Sequence, residues 1–72
     1  MPMDFLRRIE EASFPLAILE EADIHCAAVL AAAGFIEARL PEPGERLRRS
    51  AMILRITPLG RAELGRWRRQ RA

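Results

Sequence analysis

The residues in this chain best suited to chemistry are its arginines. Arg39, Arg46, Arg48, Arg49 and Arg55 lie around the Pro/Gly-rich stretch Pro41-Glu42-Pro43-Gly44, and Arg66, Arg68, Arg69 and Arg71 surround Trp67 near the C-terminal end. A guanidinium carries a planar fork of donors that fits phosphate and carboxylate oxygens two at a time. Clustered arginines therefore suit a polyanion, whose condensed counterions they release. A Trp among them can stack on a base or a cation; its spacing equally suits a core or dimer position. His25 and Cys26 are adjacent, so on a helix they diverge by about 100° and cannot chelate one metal together. There is no other His or Cys. No metal site and no Cys–His nucleophile are expected, and Cys26 reads as a small buried hydrophobe. Glu10-Glu11 and Glu20-Glu21 diverge in the same way and read as solvated faces. No Gly-rich strand-to-helix phosphate loop is present. The chain is therefore expected to be no enzyme and to carry no catalytic residue or cofactor.

Charge is divided along the chain. Residues 1–38 hold two arginines against seven acids, a balance of −5, while residues 39–72 hold ten arginines against three acids, a balance of +7. Such a basic half is the footprint of a polyanion partner. It is also compatible with a solvated surface, with two halves that attract each other inside one fold, and with head-to-tail pairing of two copies. All twelve basic residues are arginine and none is lysine.

The elements that must position these side chains follow from period and punctuation. Asp4 can cap a helix running to Ala12, with Phe5, Leu6 and Ile9 on one face. Ser13 and Pro15 suit the start of a short second helix through Leu16, Ile18 and Leu19, ending near Ala22. Asp23 is placed to cap a third helix, Ile24 to Ala33, closed by Gly34, the residue most tolerant of a left-handed C-cap. Phe35 to Leu40 alternates as a strand, with Phe35, Glu37 and Arg39 on one face. Pro41 to Arg46 can be neither helix nor ladder and reads as a loop. Ser50 to Ile56 is a second strand, with Met52, Leu54 and Ile56 predicted on one face and Ala51, Ile53 and Arg55 on the other. Thr57 then caps a last helix with Pro58 in its first position. Gly60, Leu64 and Trp67 form its inward stripe. The expected architecture is α+β: three helices, a two-stranded hairpin and a C-terminal helix, in one domain over residues 1–72.

Two stretches resemble a known family. Leu30-Ala31-Ala32-Ala33-Gly34-Phe35-Ile36-Glu37-Ala38-Arg39 resembles the end of a recognition helix and the first wing strand of winged helix-turn-helix proteins. Leu54-Arg55-Ile56-Thr57-Pro58-Leu59-Gly60-Arg61-Ala62-Glu63-Leu64 is similar to the second wing strand and following helix of MarR-type and PadR-type bacterial transcription regulators. The resemblance covers about residues 14–66. It implies a third helix entering the major groove of duplex DNA and a wing touching phosphates or the minor groove. Carried over, the groove-facing positions are Ile24, His25, Ala28 and Val29, and the core positions are Ala27 and Leu30. Of those four only His25 carries a hydrogen-bonding side chain, so base reading is confined to its neighbourhood. Arg39, Arg46, Arg48, Arg49 and Arg55 are the wing and strand cations expected on phosphate.

The third helix is apolar nearly all round, and a helix without a polar face is usually buried. Ile24, Ala28, Val29 and Trp67 are thus candidates for an interface with a second chain. A protein-interaction or dimerisation module on the same fold is the alternative to DNA binding. A chain this short buries only about 60% of its unfolded surface, so a homodimer would help stabilise it. One cysteine leaves no intramolecular disulfide. The longest apolar run, Cys26 to Ile36, is too short to span a bilayer, and no secretory leader is recognisable at the start. A cytoplasmic protein without membrane contact is expected.

Overall fold

The computed structural model describes residues 2–41 and 50–71. The order of elements is α1 (Pro2–Arg8), β1 (Leu16–Ile18), α2 (Glu21–Ala33), β2 (Ile36–Arg39), β3 (Ala51–Ile56) and α3 (Pro58–Arg71). The fold is mixed α+β, with a three-stranded antiparallel sheet in the order β1-β3-β2.

The helices follow their apolar stripes, with shifted ends. α1 begins at Pro2, where a missing N–H is harmless, so Asp4 sits within the first turn instead of capping it. The helix does not reach Ala12. After Arg8 the chain tightens through bonds from Glu10 N–H to Arg7 O (3.2 Å) and from Ala12 N–H to Ile9 O (3.1 Å). Phe5, Leu6 and Ile9 are buried together as their spacing requires. α2 begins two residues before the expected cap, and Glu20 stands at its N-cap without a side-chain bond. Asp23 lies inside the first turn and binds Arg8 of α1 at 2.7 Å. Gly34 closes α2 at φ 85°, where Phe35 N–H reaches Leu30 O at 2.9 Å and Gly34 N–H reaches Ala31 O at 3.1 Å. That is the left-handed cap glycine allows.

The expected second helix is a strand. Leu16 and Ile18 turn toward the core while Ala17 between them is exposed, a period of two. Leu19, expected to share an apolar helix face, is 75% exposed. The apolar residues of this stretch form no helical stripe, and pairing with β3 satisfies backbone groups that would otherwise form an open edge. β1 pairs Leu16 with Ile53, Ala17 with Met52 and Ile18 with Ala51.

β2 pairs with β3 through Ile36–Ile56, Glu37–Arg55, Ala38–Ile53 and Arg39–Met52. The register slips between Glu37 and Ala38, which leaves Leu54 as an extra residue on β3. This bulge corrects the predicted faces. Ala51, Ile53 and Ile56 face the core, and Met52, Leu54 and Arg55 face outward. Two consecutive outward residues cannot occur in a regular ladder; a bulge permits them and re-aims the side chain that follows. On β2 the expected alternation holds, with Ile36 buried and Glu37 and Arg39 exposed.

One cluster joins every element. Leu6 of α1, Ala27 and Leu30 of α2, Ile53 of β3 and Leu64 of α3 are almost fully enclosed. Phe14 and Phe35 pack on its margin. Thr57 ties the junctions together. Its hydroxyl donates to Gly34 O at 2.6 Å and accepts from Gly60 N–H at 3.0 Å, while its own N–H donates to Phe35 O at 3.0 Å. One threonine thus caps α3, as expected, and also fixes the end of α2 against the start of α3. Gly60 is confined by the same approach: a Cβ there would stand 2.1 Å from Phe35 O.

Candidate nucleic-acid interface

The arginines separate into those engaged within the fold and those that are not. Arg8 is held by Asp23. Arg61 donates to Glu10 O at 3.1 Å, and Arg68 binds the Glu10 carboxylate. Arg66 pairs with Glu63 one turn earlier at 3.3 Å. Arg7 lies over the Trp67 ring, 5.5 Å from its centroid. Part of the charge division is therefore consumed inside the molecule, where Arg61 and Arg68 of α3 bind Glu10 in the turn after α1. Trp67 is half-buried on that seam.

The hairpin is different. Arg39 is exposed on β2, at the end that leads into the loop, and makes no ion pair among the described residues. Arg46, Arg48 and Arg49 lie outside the described residues, between Pro41 and Ser50 of the same hairpin. Arg55 is exposed on the outer face but bound to its cross-strand neighbour, Arg55 Nη2 donating to Glu37 Oε2 at 2.9 Å. That hydrogen bond, with the attraction between the charges, holds the Glu37 carboxyl below its ordinary value and raises the Arg55 guanidinium. The outer face of the ribbon thus carries one unpaired guanidinium, one carboxylate-braced guanidinium and the apolar Met52 and Leu54.

α2 presents a poorer surface. Ala27 and Leu30 are buried, as expected for the core positions. His25 is exposed, and Val29 is 41% exposed. Ile24 and Ala28 are half-buried, Ile24 packing on the core. The rest of the outward surface is Ala22, Ala32 and Ala33, with the acids Glu20 and Glu21 at the helix start. His25, Ile24, Ala28 and Glu21 share a cleft of about 290 Å³ with Leu40 and Pro41, just past β2. The fold therefore brings His25 beside the end of β2 that follows Arg39. Arg39 and Arg55 stand on the outer sheet face.

Sequence reasoning missed two features. One is the Glu37–Arg55 pair, which an antiparallel register counted from Ile36 and Ile56 would have found. The other is the double role of Thr57, for which the sequence holds only the capping signal. Among the described residues no group of three or more His, Cys, Asp or Glu side chains is placed to hold a metal ion, and no helix is long and apolar enough to cross a membrane.

Comparison with protein-family models, with curated proteins and with solved structures finds no match to this chain.

Proposed function

We propose that this chain is a small duplex-DNA-binding domain of the winged-helix kind, a transcription regulator of bacterial type that works in the cytoplasm as a dimer. The observation that carries the reading is the contrast among its arginines. Arg8, Arg61, Arg66 and Arg68 are bound within the fold, whereas exposed Arg39 and Arg69 make no ion pair among the described residues, and Arg39 stands on the ribbon whose strands are joined by the sequence holding Arg46, Arg48 and Arg49. The order helix, left-handed glycine, antiparallel ribbon, Thr-Pro and helix supports the wing. Against it stands the segment before α2, where β1 replaces the expected second helix and no helix lies between α1 and α2. Duplex is preferred to single strand because Phe5 is buried, Phe14, Phe35 and Trp67 are half-buried, and Arg7 covers Trp67. Single-strand platforms need open aromatic rings.

Binding is electrostatic in origin and must weaken steeply with salt. Gel shift over a salt series tests this. Replacing Arg46, Arg48 and Arg49 with Ala is expected to flatten the log–log salt slope by about one for each phosphate that is no longer neutralised. Failure to bind any duplex at low salt refutes the reading.

A second reading, a protein-interaction or dimerisation module without sequence-specific DNA binding, draws on the exposed apolar residues Leu19, Val29, Met52 and Leu54. Duplex binding, measured alongside sedimentation of the pure chain, separates the two. A dimer that binds duplex supports the first reading; a stable dimer that ignores DNA favours the second.

A further inference from the structure

We infer that the outer face of the β2–β3 ribbon, and not α2, reads the base edges of the duplex, and that Arg39 and Arg55 contact guanine. The inference rests on the DNA-binding reading and assigns the reading element within it.

In the major groove guanine offers two acceptors that one guanidinium meets bidentately, cytosine offers an amino donor, and thymine a methyl group. α2 exposes two polar side chains, His25 and Glu21; its other outward positions are alanines and Val29. Glu20 and Glu21 are exposed at its start, where a phosphate would meet negative charge. A helix inserted into the groove with that composition could read little.

The ribbon meets each demand. Arg39 and Glu37 project from β2, and Met52, Leu54 and Arg55 project from β3. The bulge at Leu54 creates this set, because without it Arg55 would point into the core. Arg55 spends one nitrogen, Nη2, on Glu37 Oε2. Its remaining donors stay available, and the carboxylate limits the directions the guanidinium can take. Glu37 is in this sense a positioning residue: it aims Arg55. Met52 and Leu54 supply apolar surface for a thymine methyl. The groove admits a two-stranded ribbon. β1 widens this face to three strands beside Met52, where it adds Ala17, and leaves β2 and β3 as two strands where Glu37 faces Arg55.

Selection from a random duplex library with the full chain tests the assignment, repeated for Arg39→Ala, Arg55→Ala, Glu37→Gln and His25→Ala. All four positions are exposed, so folding is not at issue; circular dichroism checks it. The expected result is a wild-type preference containing guanine. Arg39→Ala and Arg55→Ala should each relax discrimination at a different position by roughly tenfold or more. Glu37→Gln should loosen the same position as Arg55→Ala, an effect that a general loss of stability would not localise. His25→Ala should leave the preferred sequence unchanged. A preference altered by His25→Ala and untouched by the ribbon variants overturns the assignment and leaves DNA binding standing. Retention of duplex without enrichment of any sequence does the same. A dimer in solution that Met52→Glu dissociates also overturns it, since the face is then covered by a second copy. Loss of all duplex binding at low salt removes the parent reading, and this one with it.

Discussion

α2 and the β2–β3 ribbon lie side by side on one core, yet they put different chemistry into solvent. α2 spends its sequence on packing. Ala27 and Leu30 are enclosed, Ile24 and Ala28 are half-enclosed, and its surface is mostly methyl groups. The ribbon spends only Ile36, Ala51, Ile53 and Ile56 on the core and keeps charged side chains on its other face. The geometry explains the difference. A strand segregates neighbours to opposite faces, so two short strands can serve core and solvent at once. A helix that touches core on more than one side has little arc left for polar groups. In this fold α2 contributes mainly packing, and the ribbon carries the charged outer surface.

The comparison can be broken first by loosening what both regions share. Ile53 is fully enclosed beneath the ribbon and packs in the same cluster as Leu30 of α2. Ile53→Ala is expected to cost about 2–5 kcal/mol. In a domain of this size each kcal/mol lowers the thermal midpoint by about 4–8 °C, so a melting curve reads the effect directly. A loss below about 1 kcal/mol, short of what a buried Ile-to-Ala change costs, would mean that ribbon and helix do not share one core.

Gly60 comes next. Any Cβ there collides with Phe35 O, a backbone atom with no rotamer to yield. Gly60→Ala is expected to destabilise by about 1–3 kcal/mol and to disturb the joint between the end of α2 and the ribbon. Leu59→Ala, beside it but 55% exposed, is the control that should change little. Equal melting temperatures for the two variants would contradict this close approach.

How much of the comparison is legible in the sequence depends on the type of signal. Gly34 and Thr57-Pro58 announce their helix boundaries because capping is local: it needs one residue and its neighbours. The core position Leu64 and the outward Glu37 and Arg39 follow from period alone, whereas Ala27 and Leu30 are core positions that the family resemblance implies. Leu16 to Leu19 misleads because a three-residue strand carries almost no period, and its partners Ile53 and Met52 are thirty-odd residues away in the chain. The faces of β3 beyond Ile53 mislead for a related reason. The bulge is a property of the paired ladder, and nothing local to Leu54 reveals it. The candidate site divides the same way. The arginine cluster is visible in composition, but which arginines are consumed depends on where Glu10, Asp23 and Glu37 come to rest.

A milder perturbation tests the joint itself. Thr57→Val preserves volume and removes the hydroxyl that binds Gly34 O and Gly60 N–H. Loss of such a cap typically costs about 1 kcal/mol. Because one hydroxyl serves both junctions, amide exchange should quicken at Gly60 and at the end of α2 together. Faster exchange in α3 alone would show that the bond to Gly34 contributes nothing.

The smallest expected effect lies on the ribbon surface, and pH isolates it. Arg55 holds the Glu37 carboxyl below its ordinary value of 4.5. As pH falls, the unfolded chain therefore takes up this proton before the folded chain does. The stabilisation is whole above the ordinary value and is lost as pH drops through the lowered, folded one. Both groups are exposed, so the contribution to stability is slight and salt reduces it further. The titration itself is the sensitive measure. Carboxyl carbon shifts should place the Glu37 midpoint below 4.5 in the wild type and return it toward that value in Arg55→Ala. α2 supplies the internal contrast, because His25→Ala should leave the Glu37 titration where it was. A Glu37 midpoint at the ordinary value in the wild type would mean that the carboxylate does not brace Arg55. The ribbon would then present two independent cations, and the difference from α2 would reduce to net charge alone.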